Sequence, residues 1–399
     1  MIIKIFSVSI LGLMLLTGCS KNNGNKGGND NTDSTKPAYV ADLSGAYSSE
    51  SGTWAETIRI QKDGKILLLG FQWFVRLEKD GATVDQTFKP VSEIASSANV
   101  NSFELQDDGK IIVFGKFVLS NGRKSIVRLN ADGSLDNSFN NPVLDINYQA
   151  QAINIRAVKL LANGKMVIAG AFSYKTPAAY GYGIARLNAD QSLDYSFVSP
   201  ISGGDVYNVT SMLPLSDGGF LLAGYGVIKL NDGVYYTVVK LNSEGARDKS
   251  YVFDSGGLLN ISSFVGSDMK ELPGGKVLIS WLPAATLDQT SGVARLNADG
   301  SVDASFKPFV VGGYIEALLV LPDKSIFVGN EPNENLPYVK KYLSYLDEAG
   351  KEDTTSRLNP SYPSSVFCLA NVDETTVLAG GYLTYNNKKY ALVRLKKNK

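Results

Sequence analysis

The chain has 399 residues, and its 39 basic and 39 acidic side chains cancel to a formal net charge of zero. That balance provides no electrostatic footprint for nucleic acid or for general adhesion to an anionic membrane. Histidine is absent, which excludes Ser-His-Asp and Cys-His catalysis and the commonest zinc, copper and iron sites.

The N-terminus reads as a targeting segment. Lys4 is followed by the apolar run Ile5–Leu16, too short to serve as a spanning anchor. Leu16-Thr17-Gly18-Cys19 then resembles a bacterial lipobox. The resemblance implies that residues 1–18 are a lipoprotein signal peptide and that Cys19 is acylated, with several acyl chains holding the protein on a membrane. Residues 19–38 are expected to form the lipidated cysteine and a flexible tether, because Ser20–Pro37 is rich in Asn, Gly and Lys and nearly devoid of apolar side chains. The expected location is the outer membrane. Acidic residues first occur at Asp30 and Asp33 rather than directly behind Cys19, so the side of that membrane stays open. Cys368 is the other cysteine, within an apolar run, and reads as a buried small hydrophobe rather than a nucleophile.

Residues 39–399 are organised by an internal repeat. Each unit opens with an apolar strand, a DG-type turn and a second strand ending near Gly, as in IRIQKDGKILLLG (Ile58–Gly70), FELQDDGKIIVFG (Phe103–Gly115) and VKLLANGKMVIAG (Val158–Gly170). A variable loop follows, then a hairpin: RLNADGSLDNSF (Arg128–Phe139), RLNADQSLDYSF (Arg186–Phe197), KLNSEGARDKSY (Lys240–Tyr251) and RLNADGSVDASF (Arg295–Phe306). Unit spacing predicts an all-β fold, a seven-bladed β-propeller of four-stranded antiparallel blades.

The hairpin Asn130-Ala131-Asp132-Gly133 fits a type I turn followed by a left-handed Gly. Its register sets Arg128 opposite Asp136, and the same offset pairs Arg186 with Asp194, Lys240 with Asp248 and Arg295 with Asp303. A feature present in most units describes the fold, so these pairs are read as structural rather than as calcium ligands or catalytic acids. The last unit stops after Arg394 without its Asp-x-Ser, which occurs instead as Asp42-Leu43-Ser44. The N-terminal strand Tyr39–Tyr47 is therefore predicted to close the ring, with Arg394 facing Asp42.

The GK-I-x-V-x-G strand and the RLNADGSLDxSF hairpin resemble the bacterial delta-60 repeat, a β-propeller-type repeat of Bacteroidota lipoproteins. The resemblance covers residues 39–395, most strongly in units two, three and five and least in six and seven. It implies no catalytic residues.

Function is expected on the face opposite the short turns. Strand alternation puts the a–b and c–d turns on one face and the variable b–c and d–a loops on the other, where binding residues usually sit. That face is expected to gather Trp73, Tyr174, Tyr180, Tyr182, Tyr235, Tyr236, Trp281, Asp288, Asn333, Tyr338 and Tyr385. Aromatic rings beside amides and carboxylates suit sugars, and suit a protein surface equally. The leading expectation is a lipid-anchored, non-catalytic envelope module that binds a glycan. A protein–protein scaffold in an envelope assembly is the alternative. A propeller glycoside hydrolase or lyase is a third reading, with Asp232, Asp288, Glu331 and Glu334 as acids able to reach the variable face. No cofactor, metal or nucleic acid is expected.

Overall fold

Apolar residues in the second strand of each repeat alternate between two neighbouring seams, and this organises the molecule. The computed structural model describes residues 39–48, 53–97, 99–120, 122–139, 153–203, 209–254, 265–282, 290–332, 341–354 and 361–398. After β1 (Tyr39–Ser48) come antiparallel meanders: β2 (Ala55–Ile60), β3 (Ile66–Gly70) and β4 (Trp73–Leu77), then, past the short helix α1 (Ser92–Ala95), β5 (Val100–Leu105), β6 (Ile111–Leu119) and β7 (Gly122–Leu129). Next are β8 (Asn154–Leu160), β9 (Met166–Lys175) and β10 (Tyr180–Leu187), and then β11 (Val209–Pro214), β12 (Phe220–Lys229) and β13 (Tyr235–Leu241). They continue with β14 (Val265–Glu271), β15 (Val277–Leu282), β16 (Thr290–Leu296) and β17 (Phe309–Gly312), and with β18 (Tyr314–Val320), β19 (Ile326–Glu331) and β20 (Leu343–Leu346). The last are β21 (Ser361–Asn371), β22 (Thr376–Tyr385) and β23 (Lys388–Lys397).

Side chains on a strand alternate between its faces. In β3, Leu67 and Leu69 join the cluster shared with Phe103 and Val113, while Ile66 and Leu68 join the cluster shared with Cys368 and Leu378. In β6, Ile111 and Val113 face the first of these seams, and Ile112 and Phe114 face the next, with Ile155 and Ile168. The same division runs through β9, β12, β15 and β19 until β22 returns it to β3. Both faces of these strands are covered, which explains continuous runs such as ILLLG where a half-exposed strand would alternate apolar and polar. The first strands β2, β5, β8, β11, β14, β18 and β21 touch in that order, and β21 touches β2. They form a closed inner wall.

β1 pairs antiparallel with β23, making a four-stranded sheet in the order β1-β23-β22-β21, with Tyr39 opposite Lys397 and Asp42 opposite Arg394. Tyr39 is 1% exposed, and its ring meets Phe327 at 5.0 Å and Tyr345 at 5.4 Å. The N-terminal segment therefore locks onto the preceding repeat as well as the last.

The fourth strand expected in every blade is mostly reduced to a single bridge, such as Leu129–Leu135, Leu187–Leu193 or Leu296–Val302. The reason lies in Asp-x-Ser. Asp136 Oδ1 accepts the Ser138 N–H at 2.9 Å and its hydroxyl at 2.6 Å, and Phe139 N–H returns to the Asp136 carbonyl at 3.2 Å. That local turn competes with the ladder and takes the chain away from it.

Candidate functional site

The inner wall carries a repeated irregularity. Pairing of the first strand with the second shifts by one residue between Ala55 and Thr57, Val100 and Ser102, Ile155 and Ala157, Val209 and Ser211, Gly266 and Met269, Ile315 and Ala317, and Val366 and Cys368. A β-bulge inserts an unpaired residue and turns its side chain out of the ladder. The residues so placed include Glu56, Asn101, Arg156, Thr210, Asp268, Glu316 and Phe367. The glycine that ends many second strands belongs to this device. A Cβ at Gly115 would lie 2.3 Å from the Asn99 carbonyl, and one at Gly170 would lie 2.3 Å from that of Asn154.

These residues lie at one mouth of the inner wall, the end of the first strands away from the a–b turns. Asn101 and Arg156 are exposed, and Glu56, Thr210, Asp268, Glu316 and Phe367 are half-buried. Asp268 is held by the Leu318 N–H at 2.9 Å and by Lys270 Nζ at 2.7 Å. Glu56 accepts from Trp54 Nε1 at 2.9 Å. Burial pushes the Glu316 carboxyl up to about 7, and the charges of Glu331 and Glu56 add to the shift. Burial also raises Glu56, against the Trp54 hydrogen bond, and raises Glu331. Deeper in the wall the balance reverses. Burial alone would raise Glu104, but Arg59 at 3.0 Å and Lys159 at 3.2 Å hold it below its ordinary value. Glu56, Glu316 and Glu331 have no such cation among the described residues.

Beside Glu56, the indole of Trp54 stacks on Phe71, with centroids 5.3 Å apart and an interplanar angle of 16°. Phe71 is 40% exposed. This pair escaped sequence reasoning because it joins a loop before β2 to one after β3.

The expected aromatic face is only partly assembled. Tyr174 is a core residue, 3% exposed, whose hydroxyl donates to the Ile184 carbonyl at 3.1 Å and whose burial pushes its pKa up to about 12. Its length and the absence of a side chain at Gly181 let it fold onto its own hairpin. Trp73, Tyr182, Trp281 and Tyr385 pack partly against seam clusters. Tyr180 and Tyr235 are exposed, at 54% and 52%. Tyr236 donates to Asp232 at 3.1 Å and lies 4.1 Å below the Arg247 guanidinium, two residues past Gly245 of the short turn. At this repeat the loop tip therefore meets a side chain of the short-turn hairpin. Asp288, Asn333 and Tyr338, with Glu334 and Cys19, lie outside the described residues. Cys368 is buried, its Sγ 3.6 Å from the Ala55 carbonyl, and burial pushes its thiol far up. Among the described residues no group of three or more candidate metal ligands occurs.

The hairpin residues form a larger unit than a pair. Arg128 Nε donates to Asp136 Oδ2 at 2.7 Å, and Lys110 of the a–b turn donates to the same oxygen at 2.8 Å. Arg186, Lys165 and Asp194 repeat this arrangement, as do Arg295, Lys276 and Asp303. The lysine and serine hydrogen bonds hold Asp136 well below the usual carboxylate range. The guanidinium also covers the terminal aromatic, with Arg128 5.2 Å above Phe139. It reaches across the seam as well: Arg76 Nη1 donates to the Ala131 carbonyl at 2.6 Å, Arg186 to Ser243 at 2.6 Å and Arg295 to Glu348 at 2.7 Å, each in the next repeat's turn.

Two expected pairs differ. Lys240, too short to reach the next turn, is 2.6 Å from Asp217 and 3.3 Å from Asp248. Asp42 sits in register with Arg394 but pairs with Lys396 at 2.6 Å, which with the Ser44 hydrogen bonds lowers it to about 2. Arg394 instead donates to the Lys79 carbonyl in the first repeat's turn. Arg394 thus faces Asp42 in the ladder as expected, but no ion pair joins the two among the described residues.

Comparison with known proteins supports the architecture. Residues 106–139, 161–197 and 288–306 match a family described as a domain of unknown function (DUF5122) beta-propeller. No curated protein matches. A solved structure of the extracellular domain of a hybrid two-component system from B. thetaiotaomicron is similar at TM-score 0.54 and 11% identity, over 91% of this chain. This chain spans 40% of that one. A protein of unknown function from Dyadobacter fermentans (TM-score 0.44, 15% identity, 91% of this chain and 100% of that one) and a gluconolactonase from Xanthomonas campestris (TM-score 0.43, 10% identity, 89% of each) are more distant. The strand content, the meanders and the family match together support a propeller repeat family.

Proposed function

We propose that this chain is a seven-bladed propeller, lipid-anchored through Cys19 to the outer membrane, that acts as a non-catalytic binding module for a glycan. The observation that carries the ligand is the Trp54–Phe71 stack beside Glu56 at the ring of bulge residues. A flat, part-exposed aromatic surface accepts the apolar face of a sugar, while Glu56, Asn101, Arg156 and Thr210 offer acceptors and donors for its hydroxyls. The anchor suits this placement. Tyr39 pairs with Lys397, at the end of β23 that leads toward the short turns, so the chain enters on the side away from the mouth. A glycan array probed with the full chain and with W54A/F71A is the test. Selective glycan binding lost in the variant supports the reading. No glycan bound, with one envelope protein co-purified, replaces it by the scaffold reading.

One observation favours a second reading at the same mouth. Glu316, pushed up to about 7 by burial with the charges of Glu331 and Glu56 adding, suits a general acid. Glycan cleavage by the parent, abolished in E316Q, would make the protein a hydrolase or lyase.

A further inference from the structure

The a–b turns of the repeats share one frame, in which the residue after the first strand donates its N–H to the carbonyl four residues on. This bond is 2.8 Å from Gln61 to Lys65 and 2.8 Å from Gln106 to Lys110, and it recurs from Leu161, Leu215, Leu272 and Leu321. The four leucines are thus equivalent in position to the two glutamines. Leu161, Leu215 and Leu272 pack against seam clusters, and Leu321 is buried within one. In the first two repeats the same position carries amides. Together they line a cleft of about 440 Å³ between the two turns, with Ala131 of the neighbouring hairpin at one wall.

The amide oxygens of Gln61 and Gln106 are shielded from solvent and accept no hydrogen bond. A buried polar atom without a partner is destabilising and calls for an explanation. Leucine would remove both defects, as it does in four other repeats, while Val372 fills the position in the last. The terminal amide torsion is broad, so rotation can turn either the oxygen or the nitrogen into the cleft. At the rim Lys62 Nζ spans the two turns to the Asp107 carboxylate at 2.9 Å and to its carbonyl at 3.1 Å. Asp63 and Asp108 each spend one oxygen on their own turn, accepting Lys65 N–H and Lys110 N–H at 3.0 Å. The cleft thus mixes rotatable amides with carboxylates and a cation.

We propose that this seam cleft is a second binding site, on the face away from the mouth, for a small polyhydroxylated ligand such as a single sugar ring or the end of a glycan. A hydroxyl both donates and accepts, so it satisfies an amide in either orientation and a rim carboxylate beside it. A fully charged ligand would meet charges of both signs. The volume falls within the range of small-molecule sites. The proposal goes beyond the reading of the mouth and stands if that reading fails.

Saturation-transfer-difference NMR on the full chain, with free glucose, galactose, mannose and N-acetylglucosamine, tests it against Q61L/Q106L. That variant installs the residue four other repeats carry, and a Tm at or above the parent's shows that it folds. The expected result is sugar binding by the parent that weakens roughly tenfold or more in Q61L/Q106L, two hydrogen-bonding amides being lost. W54A/F71A, which removes the mouth's platform, retains this binding. Equal binding by the parent and Q61L/Q106L overturns the proposal. So does the absence of sugar binding by the parent with a raised Tm in the variant, which would leave the amides as hydrated defects only.

Discussion

Replacing Asp303 by Asn tests whether the recurrent hairpin carboxylate holds its repeat together. Asp303 Oδ2 accepts from Arg295 Nε at 2.7 Å and from Lys276 Nζ at 2.7 Å, while Oδ1 takes the Ser305 N–H at 3.0 Å and hydroxyl at 2.6 Å. The Asp303 and Arg295 side chains are only 7% and 10% exposed, so the loss leaves a guanidinium buried without its counter-charge. Breaking a buried ion pair on one side costs about 3–5 kcal/mol. Lys276, 39% exposed, can swing into solvent, and Arg295 keeps its bond to the Glu348 carbonyl, so the lower end, about 3 kcal/mol, is expected. Urea unfolding at pH 7 measures it. The lysine, serine and arginine hydrogen bonds outweigh burial and hold the Asp303 pKa below its ordinary value. A depressed carboxylate stabilises fully above its unfolded pKa, near 3.9, and loses this as pH falls toward its folded value. The gap between parent and D303N should therefore persist at pH 5 and narrow only below about pH 4. A cost under about 1 kcal/mol at pH 7, or a gap that closes between pH 7 and 5, would refute the reasoning.

Glu316 should behave with the opposite sign. Its pKa is raised from 4.5 to about 7, so ionising it disfavours the fold, and stability should fall as pH rises from about 4.5 to 7. E316Q should be more stable than the parent at pH 8, by up to roughly 3 kcal/mol, and indistinguishable from it at pH 4, as read by thermal melts at both pH values. Gly170→Ala places a Cβ against the Asn154 carbonyl and the Arg156 N–H, and should cost at least about 1–3 kcal/mol in urea unfolding. An unchanged midpoint would show that the bulge tolerates side chains. Deleting Tyr39–Ser48 removes the buried Tyr39 and bares the β23 edge. Limited proteolysis should then cut within β21–β23 faster than in the parent, and light scattering should report association through the open edge.

The architecture was legible in residues 39–395 because propeller repeats interact mainly with their neighbours, so one unit's pattern recurs in chain order. The Arg128–Asp136 offset and the glycine turns follow from local register, and the assignment of β1 to the last sheet follows from the Asp-x-Ser that the last unit lacks. The role of each guanidinium does not. Arg76 and Arg394 find carbonyls of the neighbouring repeat's turn, and that partner comes from ring geometry rather than spacing. Aromatic content likewise says nothing of direction, so Tyr174 and Tyr180, six residues apart on one hairpin, part into core and surface.

The short repeated hairpin by itself determined an all-β, turn-rich chain with a set strand order, because alternation and turn chemistry are local properties. Only the tertiary structure decided where chemistry can occur. Bulges in separate strands put Glu56 and Glu316 within electrostatic reach of each other, and a loop contact lays Trp54 on Phe71. Such groups converge only when the ring closes, since residues far apart in the chain acquire a common environment from packing and from nothing encoded in their spacing.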